Sequence, residues 1–310
     1  MIELFKETEI DFIGKRFIFF MVSGVAVLIG LVAMIQIARG ASGVNLGVDF
    51  AGGTSLSIKF QKPVGIEEAR KILSNGGLSD AELQAVVTDQ KFLIRIKKEG
   101  DGKMDARVSD LFSKALPANP LVIENSTEIG PKIGEKLKED ALLAIALSMI
   151  GIIFYIAFRF EFKFGVAAVI ATCHDVFVVL GIFYLLDKEI SLLFVTALLT
   201  IAGYSLSDTV VIFDRIRENL RTKKRELLAV VVNRSINEVL ARTFNTSFTT
   251  LIAVFTLFLF GGAVIHDFAF AMICGVVVGT YSSWFIASPI LLLLKGEVSL
   301  RNEAPVLKKA

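Results

Sequence analysis

Six apolar stretches, each close to the length needed to cross a bilayer, restrict what this chain can fold into more than any other feature. They cover residues 17–37, 141–158, 164–186, 190–213, 244–261 and 268–294. About 20 apolar residues span the hydrocarbon core as a helix, and lipid leaves backbone groups no partner outside the segment itself. A polytopic α-helical membrane protein is expected, and a content of 54% hydrophobic residues in 310 agrees. The first run exceeds the roughly 7–15 apolar residues of a cleaved signal sequence, so it is read as a retained helix. Cys173 and Cys274 both fall inside apolar runs, which makes neither a disulfide framework nor a metal site of them.

Residues 39–137 are a different material, polar and mixed in charge. Alternation at residues 55–60 predicts a half-buried strand, and the spacing over 66–73 a helix stopped by Asn75-Gly76-Gly77. Residues 83–87 and 92–96 read as strands about Thr88-Asp89-Gln90, 106–116 as a helix and 121–129 as a last strand. The order βαββαβ is that of a small α+β ferredoxin-like domain. The pair Gly52-Gly53 reads as a turn in preference to a phosphate cradle. No nucleophile–base set, ATP-binding loop, cofactor motif or metal-ligand cluster emerges, so no enzyme is expected, and nothing points to nucleic acid.

Charge placement orients the chain. With the first residues in the cytoplasm, the inside segments hold Lys6, Lys15, Arg16, Arg159 and Lys163. They also hold Arg215, Arg217, Arg221, Lys223, Lys224, Arg225 and Arg234, then Lys295, Arg301, Lys308 and Lys309. The short outside loops carry Lys188 alone. The positive-inside rule then puts both termini in the cytoplasm and the small domain outside. The expected division is a cytoplasmic segment 1–16, a span 17–38, the outer domain 39–137, five spans within 138–295 and a tail 296–310. A basic cytoplasmic loop is expected at about 214–242. Residues 218–240 within it have helical spacing, read as an orientation signal before a docking site.

Polar residues inside the spans are the candidate site. A carboxylate at mid-span costs roughly 2.5–3.5 kcal/mol on insertion scales, so it needs a partner or a wet cavity. Asp208 shares one helical face with Thr200, Tyr204 and Ser205, and Arg242, Asn245, Thr246, Thr249 and Thr250 stripe the next span. The two stripes are expected to face each other, with Asp208 and Arg242 as a titrating pair on a proton path. The competing reading is a permanent salt bridge, for which desolvation can consume the Coulombic gain. His174 and Asp175 lie mid-span on the third run. His174 reads as a proton shuttle or as a hydrogen-bonded packing residue, Asp175 as part of the same network. Ala271, Gly275, Gly279 and Ser283, four apart on the last run, form a packing face to which no chemistry is assigned.

These motifs together resemble the SecF family of bacterial protein-export membrane subunits. The carriers are Gly47-Val-Asp-Phe-Ala-Gly-Gly-Thr54, Gly130-Pro-Lys-Ile-Gly134, His174-Asp175 and Gly203-Tyr-Ser-Leu-Ser-Asp-Thr209. Asp214-Arg215-Ile-Arg217-Glu218-Asn219 and Arg242-Thr-Phe-Asn-Thr-Ser-Phe-Thr-Thr250 complete the set. The family commonly carries Asn where Ser207 stands, a change that keeps a small polar group. The resemblance implies a partnership with SecD in a twelve-helix assembly of the RND-transporter type in the inner membrane. It also implies the SecY–SecE–SecG channel and a translocating preprotein as partners, and proton flow as the drive. It carries the membrane acid and arginine of proton transport onto Asp208 and Arg242. Alternatives are an RND-like exporter of lipids or small molecules and a passive scaffold for SecD or the channel.

Overall fold

The structure is a computed structural model, and it describes residues 8–39, 43–86, 91–97, 103–222 and 226–296. The expected turn at residues 88–90 lies outside the described residues. So do Lys6, Lys223, Lys224, Arg225, Arg301, Lys308, Lys309 and all of the tail but Gly296.

Among the described residues, six helical segments are long and apolar enough to cross a membrane. They are α1 (Arg16–Arg39), α5 (Pro131–Arg159), α6 (Phe162–Leu185), α7 (Leu192–Thr222), α8 (Leu228–Phe260) and a broken sixth. The sixth runs as α9 (Gly262–Ser282), a π-helical turn (Ser283–Ala287) and α10 (Ser288–Lys295). Pro289 is the physical reason for the break. It has no N–H to donate and its ring crowds the preceding turn, so the helix widens there. Ser288 Oγ donates to the Ser283 carbonyl at 3.0 Å and so satisfies an acceptor within the widened turn.

The spans divide by burial. Over their most apolar windows α6, α7 and the sixth span are 61%, 56% and 61% buried, against 17%, 11% and 17% for α1, α5 and α8. The first three are therefore the core of the bundle. Close approach on this core depends on glycine. A Cβ on Gly275 would collide with the Ile201 side chain, and one on Gly279 would sit 2.9 Å from Ser205 Cβ. The expected small-residue face of the last span is thus the face that α7 packs against.

Among the described residues, most of the stretch expected as a basic loop at about 214–242 is helical. α7 continues to Thr222 and α8 begins at Leu228. Ile212, Phe213 and Ile216 of α7 pack with Leu228, Val232 and Ile236 of α8 in one buried cluster, which makes helical continuation favourable beyond the apolar runs. Asn219 Nδ2 donates to Ser235 Oγ at 2.9 Å across this extension, and Arg215 pairs with Glu238 at 2.6 Å.

Between α1 and α5 lies the small domain. A four-residue helix α2 (Val48–Ala51) precedes β1 (Gly53–Phe60), α3 (Ile66–Asn75), β2 (Glu82–Val86), β3 (Lys91–Ile96), α4 (Met104–Ala115) and β4 (Leu121–Ile129). The strands form one sheet in the order β2-β3-β1-β4, with every neighbouring pair antiparallel. Leu56, Ile58 and Phe60 alternate onto the buried face of β1 and meet Phe92, Ile94, Val108 and Phe112 in the domain core. Ser55, Ser57 and Arg95 point to the other face, as period-two strands require. The glycine pair makes the turn into the sheet. Gly52 has φ 76° and Gly53 φ 135°, and a Cβ on Gly53 would strike the Ile96 carbonyl oxygen.

Candidate functional site: two buried carboxylates between the spans

Asp175 and Asp208 are both buried in the helical core, 0% and 3% exposed, but they are held differently. Asp175 on α6 is surrounded by donors. His174 Nδ1 lies 2.9 Å from its Oδ1, Ser282 Oγ donates to its Oδ2 at 2.8 Å, and Ser205 Oγ donates to the same oxygen. Three helices, α6, α7 and α9, are tied together at this carboxylate. The acid is affordable in the apolar core because its oxygens are occupied.

Asp208 on α7 has a single side-chain donor among the described residues, Ser247 Oγ of α8 at 3.2 Å. That donor is shared. Ser247 Oγ also lies 2.9 Å from the Thr243 carbonyl and 2.5 Å from Thr280 Oγ1, while Tyr204 OH donates to it at 3.2 Å. A serine hydroxyl has one proton to give. Its bond to Asp208 therefore competes with two other acceptors, and the Tyr204–Ser247–Asp208 sequence forms a hydrogen-bonded chain from a half-buried phenol to a buried acid. Next to it, Thr209 Oγ1 and Ser283 Oγ are 2.9 Å apart, at the start of the π-helical turn.

The expected ion pair is absent: among the described residues no salt bridge joins Asp208 and Arg242, and Arg242 is exposed. Helical rotation gives the reason. Arg242 precedes Ser247 by five residues, which at 3.6 residues per turn sets the two about 140° apart around α8. The face of α8 that meets Asp208 carries Leu240, Thr243 and Ser247, all buried. Arg242, Asn245, Thr246 and Thr249 lie on the exposed side. Thr246 Oγ1 donates to the Arg242 carbonyl at 3.0 Å and Thr249 Oγ1 to the Asn245 carbonyl at 2.9 Å, so both hydroxyls are satisfied within their own helix. The two stripes do not face each other. Thr200 of α7 is likewise exposed, with its hydroxyl on the Thr196 carbonyl at 2.8 Å.

Sequence reasoning missed Ser247, Thr280 and Ser282. The last two sit on the span to which no chemistry was assigned. The signal was available in part: Val276, Thr280, Ser283 and Ala287 are spaced to share a face, and hydroxyls within a small-residue stripe can bond to a neighbouring acid.

Fold and site together define a polytopic helical membrane protein with two hydroxyl-held acids in its core and a small sheet domain at one end. Comparison with known families narrows this. The model described as "Protein export membrane protein SecD/SecF, C-terminal" matches residues 111–297, and the SecD/SecF GG motif matches residues 40–64. The chain belongs to the SecD/SecF family. It is 53% identical to a protein translocase subunit SecF of Thermodesulfovibrio yellowstonii over 95% of this chain and 97% of that one. A SecF of Calditerrivibrio nitroreducens is 39% identical over 95% and 97% of the two chains. The crystal structure of SecDF, a translocon-associated membrane protein from Thermus thermophilus, superposes with a TM-score of 0.78 at 35% identity. That superposition covers 93% of this chain but only 39% of the longer SecDF chain.

Proposed function

We propose that this chain is the SecF-type half of a Sec accessory complex, and that with SecD it couples proton flow to late steps of preprotein translocation across the inner membrane. In this reading the helices form half of a twelve-helix, RND-like assembly beside the SecY–SecE–SecG channel. The small domain is ferredoxin-like and lies on the periplasmic side, and both termini are cytoplasmic. The observation that carries the reading is the exposed polar stripe of α8. Arg242, Asn245, Thr246 and Thr249 project from a span that the chain leaves uncovered. An arginine facing hydrocarbon is costly, and the cost is removed when a second set of helices supplies a polar cleft. SecD is the partner of matching chemistry, since the SecDF chain holds a SecF-like part within a longer protein.

Asp208 then works as the proton-accepting acid at the base of that cleft. Its one shared donor leaves carboxylate lone pairs open, and Tyr204 and Ser247 link it toward the uncovered face. Protonation removes its charge, weakens its attraction to cations across the cleft and permits a shift of α7 against α8. Arg242 serves as the cation that meets the acid in another arrangement of the assembled complex. Asp175, with His174, holds α6, α7 and α9 in register around the moving part. One elementary charge crossing 100 mV is worth about 2.3 kcal/mol, enough to bias a two-state shift.

The test is proton-motive-force-dependent preprotein export in membranes carrying Asp208→Asn, with co-purification of SecD as the assembly control. Loss of stimulation with SecD still bound is the expected result. Undiminished stimulation would remove Asp208 from the coupling step.

A further inference from the structure

A buried charged joint helps to fasten the small domain to the helical bundle. Residues 45–47 lie beside the loop between α6 and α7: Gly47 N donates to the Ile190 carbonyl at 2.9 Å, and Ile190 N to the Asn45 carbonyl at 2.8 Å. Asp49 Oδ2 accepts from Leu192 N at 2.8 Å at the start of α7. In the middle of this joint is Glu189, 5% exposed, ion-paired with Arg95 of β3. Gly47 leaves room for it, because a Cβ there would lie 2.5 Å from Glu189 Oε1. Above the joint is a polar cavity of about 150 Å³ between the helix-free face of the sheet and the bundle, with Asp49, Arg95, Glu189 and Asp267 on its walls.

We propose that Glu189 is a proton-binding clamp, and that its protonation sets how tightly the small domain docks on the membrane body. This goes beyond the export reading and does not depend on it. The charged groups around it come from every element at the joint. Arg95 belongs to β3 and Lys97 follows its last residue, Glu82 belongs to β2 and Asp267 to α9, while Lys97 is tied to Glu82 at 2.7 Å and Lys188 to Asp267 at 2.9 Å. His266 lies 3.5 Å from Asp267, and Asp49 closes the side toward α2. Burial pushes the Glu189 carboxyl from 4.5 up to about 7, against the pull of Arg95 and Lys97 and with a further push from Glu82 and Asp267. Undocking would return it to water and to its ordinary range. The docked state therefore holds the proton more firmly. Between pH about 7 and 4.5, acidification favours docking by up to ~tenfold per pH unit, and docking loosens as pH rises through 7.

The measurement is the distance between spin labels at Lys114→Cys on α4 and Leu186→Cys beside the joint, both exposed positions, in nanodiscs. The native thiols are replaced by alanine, and pulsed electron resonance is recorded from pH 8 to pH 5. The docked distance should gain population as pH falls, in one step. Glu189→Gln should be docked at every pH and flat across the range. Arg95→Gln, which removes the opposing cation, should move the midpoint to higher pH. A wild-type population that does not change with pH would overturn the proposal. So would a Glu189→Gln protein that keeps the wild-type curve or is undocked throughout, or an Arg95→Gln midpoint that fails to rise. Export is not read in this experiment, so a negative result here leaves the coupling role of Asp208 standing.

Discussion

Asp175 and Asp208 are both carboxylates in the core of the same bundle, and they differ in how many donors they hold. Asp175 has His174, Ser205 and Ser282, from three helices. Among the described residues Asp208 has Ser247 alone, and Ser247 has competing acceptors. A buried acid with its lone pairs filled is a fixed joint, because moving any of the three helices would strand a donor or an acceptor in an apolar medium. An acid with one shared donor can exchange its partner at little cost. The same residue type thus serves as an anchor at one site and as a movable group at the other, and the surrounding hydroxyls make the difference.

That contrast can be broken most directly at Asp175. Asp175→Ala leaves two serines and a histidine around an empty position and should lower stability by about 3 kcal/mol, whereas Asp208→Ala should cost less than about 1 kcal/mol. Unfolding in mild detergent measures both, and equal losses would abolish the distinction. Gly275→Leu, which drives a side chain into Ile201, should separate α7 from α9 and cost about 1–3 kcal/mol, disturbing both sites together. Ser247→Ala removes the one donor of Asp208 and should cost about 0.6 kcal/mol, near the average for a hydrogen bond between spans. The smallest stability effect belongs to Arg242→Gln. Its side chain is exposed in this chain, so unfolding of the isolated subunit should move by no more than about 0.5 kcal/mol. The same variant should lose its stimulation of export in the assembled complex. A large stability loss would mean that the chain itself buries Arg242, and unimpaired export would remove it from the proposed proton path.

Much of the architecture was legible in the residues. The six spans follow from apolar length, and the strand and helix positions of the small domain follow from period-two and helical spacing, since Leu56, Ile58 and Phe60 or Met104, Val108 and Phe112 can bury only one face. The acids were recognisable because a carboxylate in an apolar run requires an explanation. Their partners were not. Opposite charge made Arg242 the natural partner for Asp208, but charge says nothing about helix rotation. The buried face of α8 is the one with Leu240, Thr243 and Ser247, and it carries the less conspicuous polar group.

The sequence by itself determined which segments are helices in lipid, which form the sheet, and that Asp175 and Asp208 could not be idle surface groups. Those are consequences of local length, periodicity and desolvation cost, which act along the chain. Only the tertiary structure decided that Ser205 and Ser282 close on Asp175, that Asp208 shares a serine with Thr280, and that Arg242 turns outward. It also decided that Glu189 and Arg95, 94 positions apart, meet in the joint below the sheet. Each of these depends on how packed helices are rotated about their axes and where the small domain rests. Glycines at 47, 275 and 279 permit those arrangements by close contact, and contact between distant segments is a property that no local pattern contains.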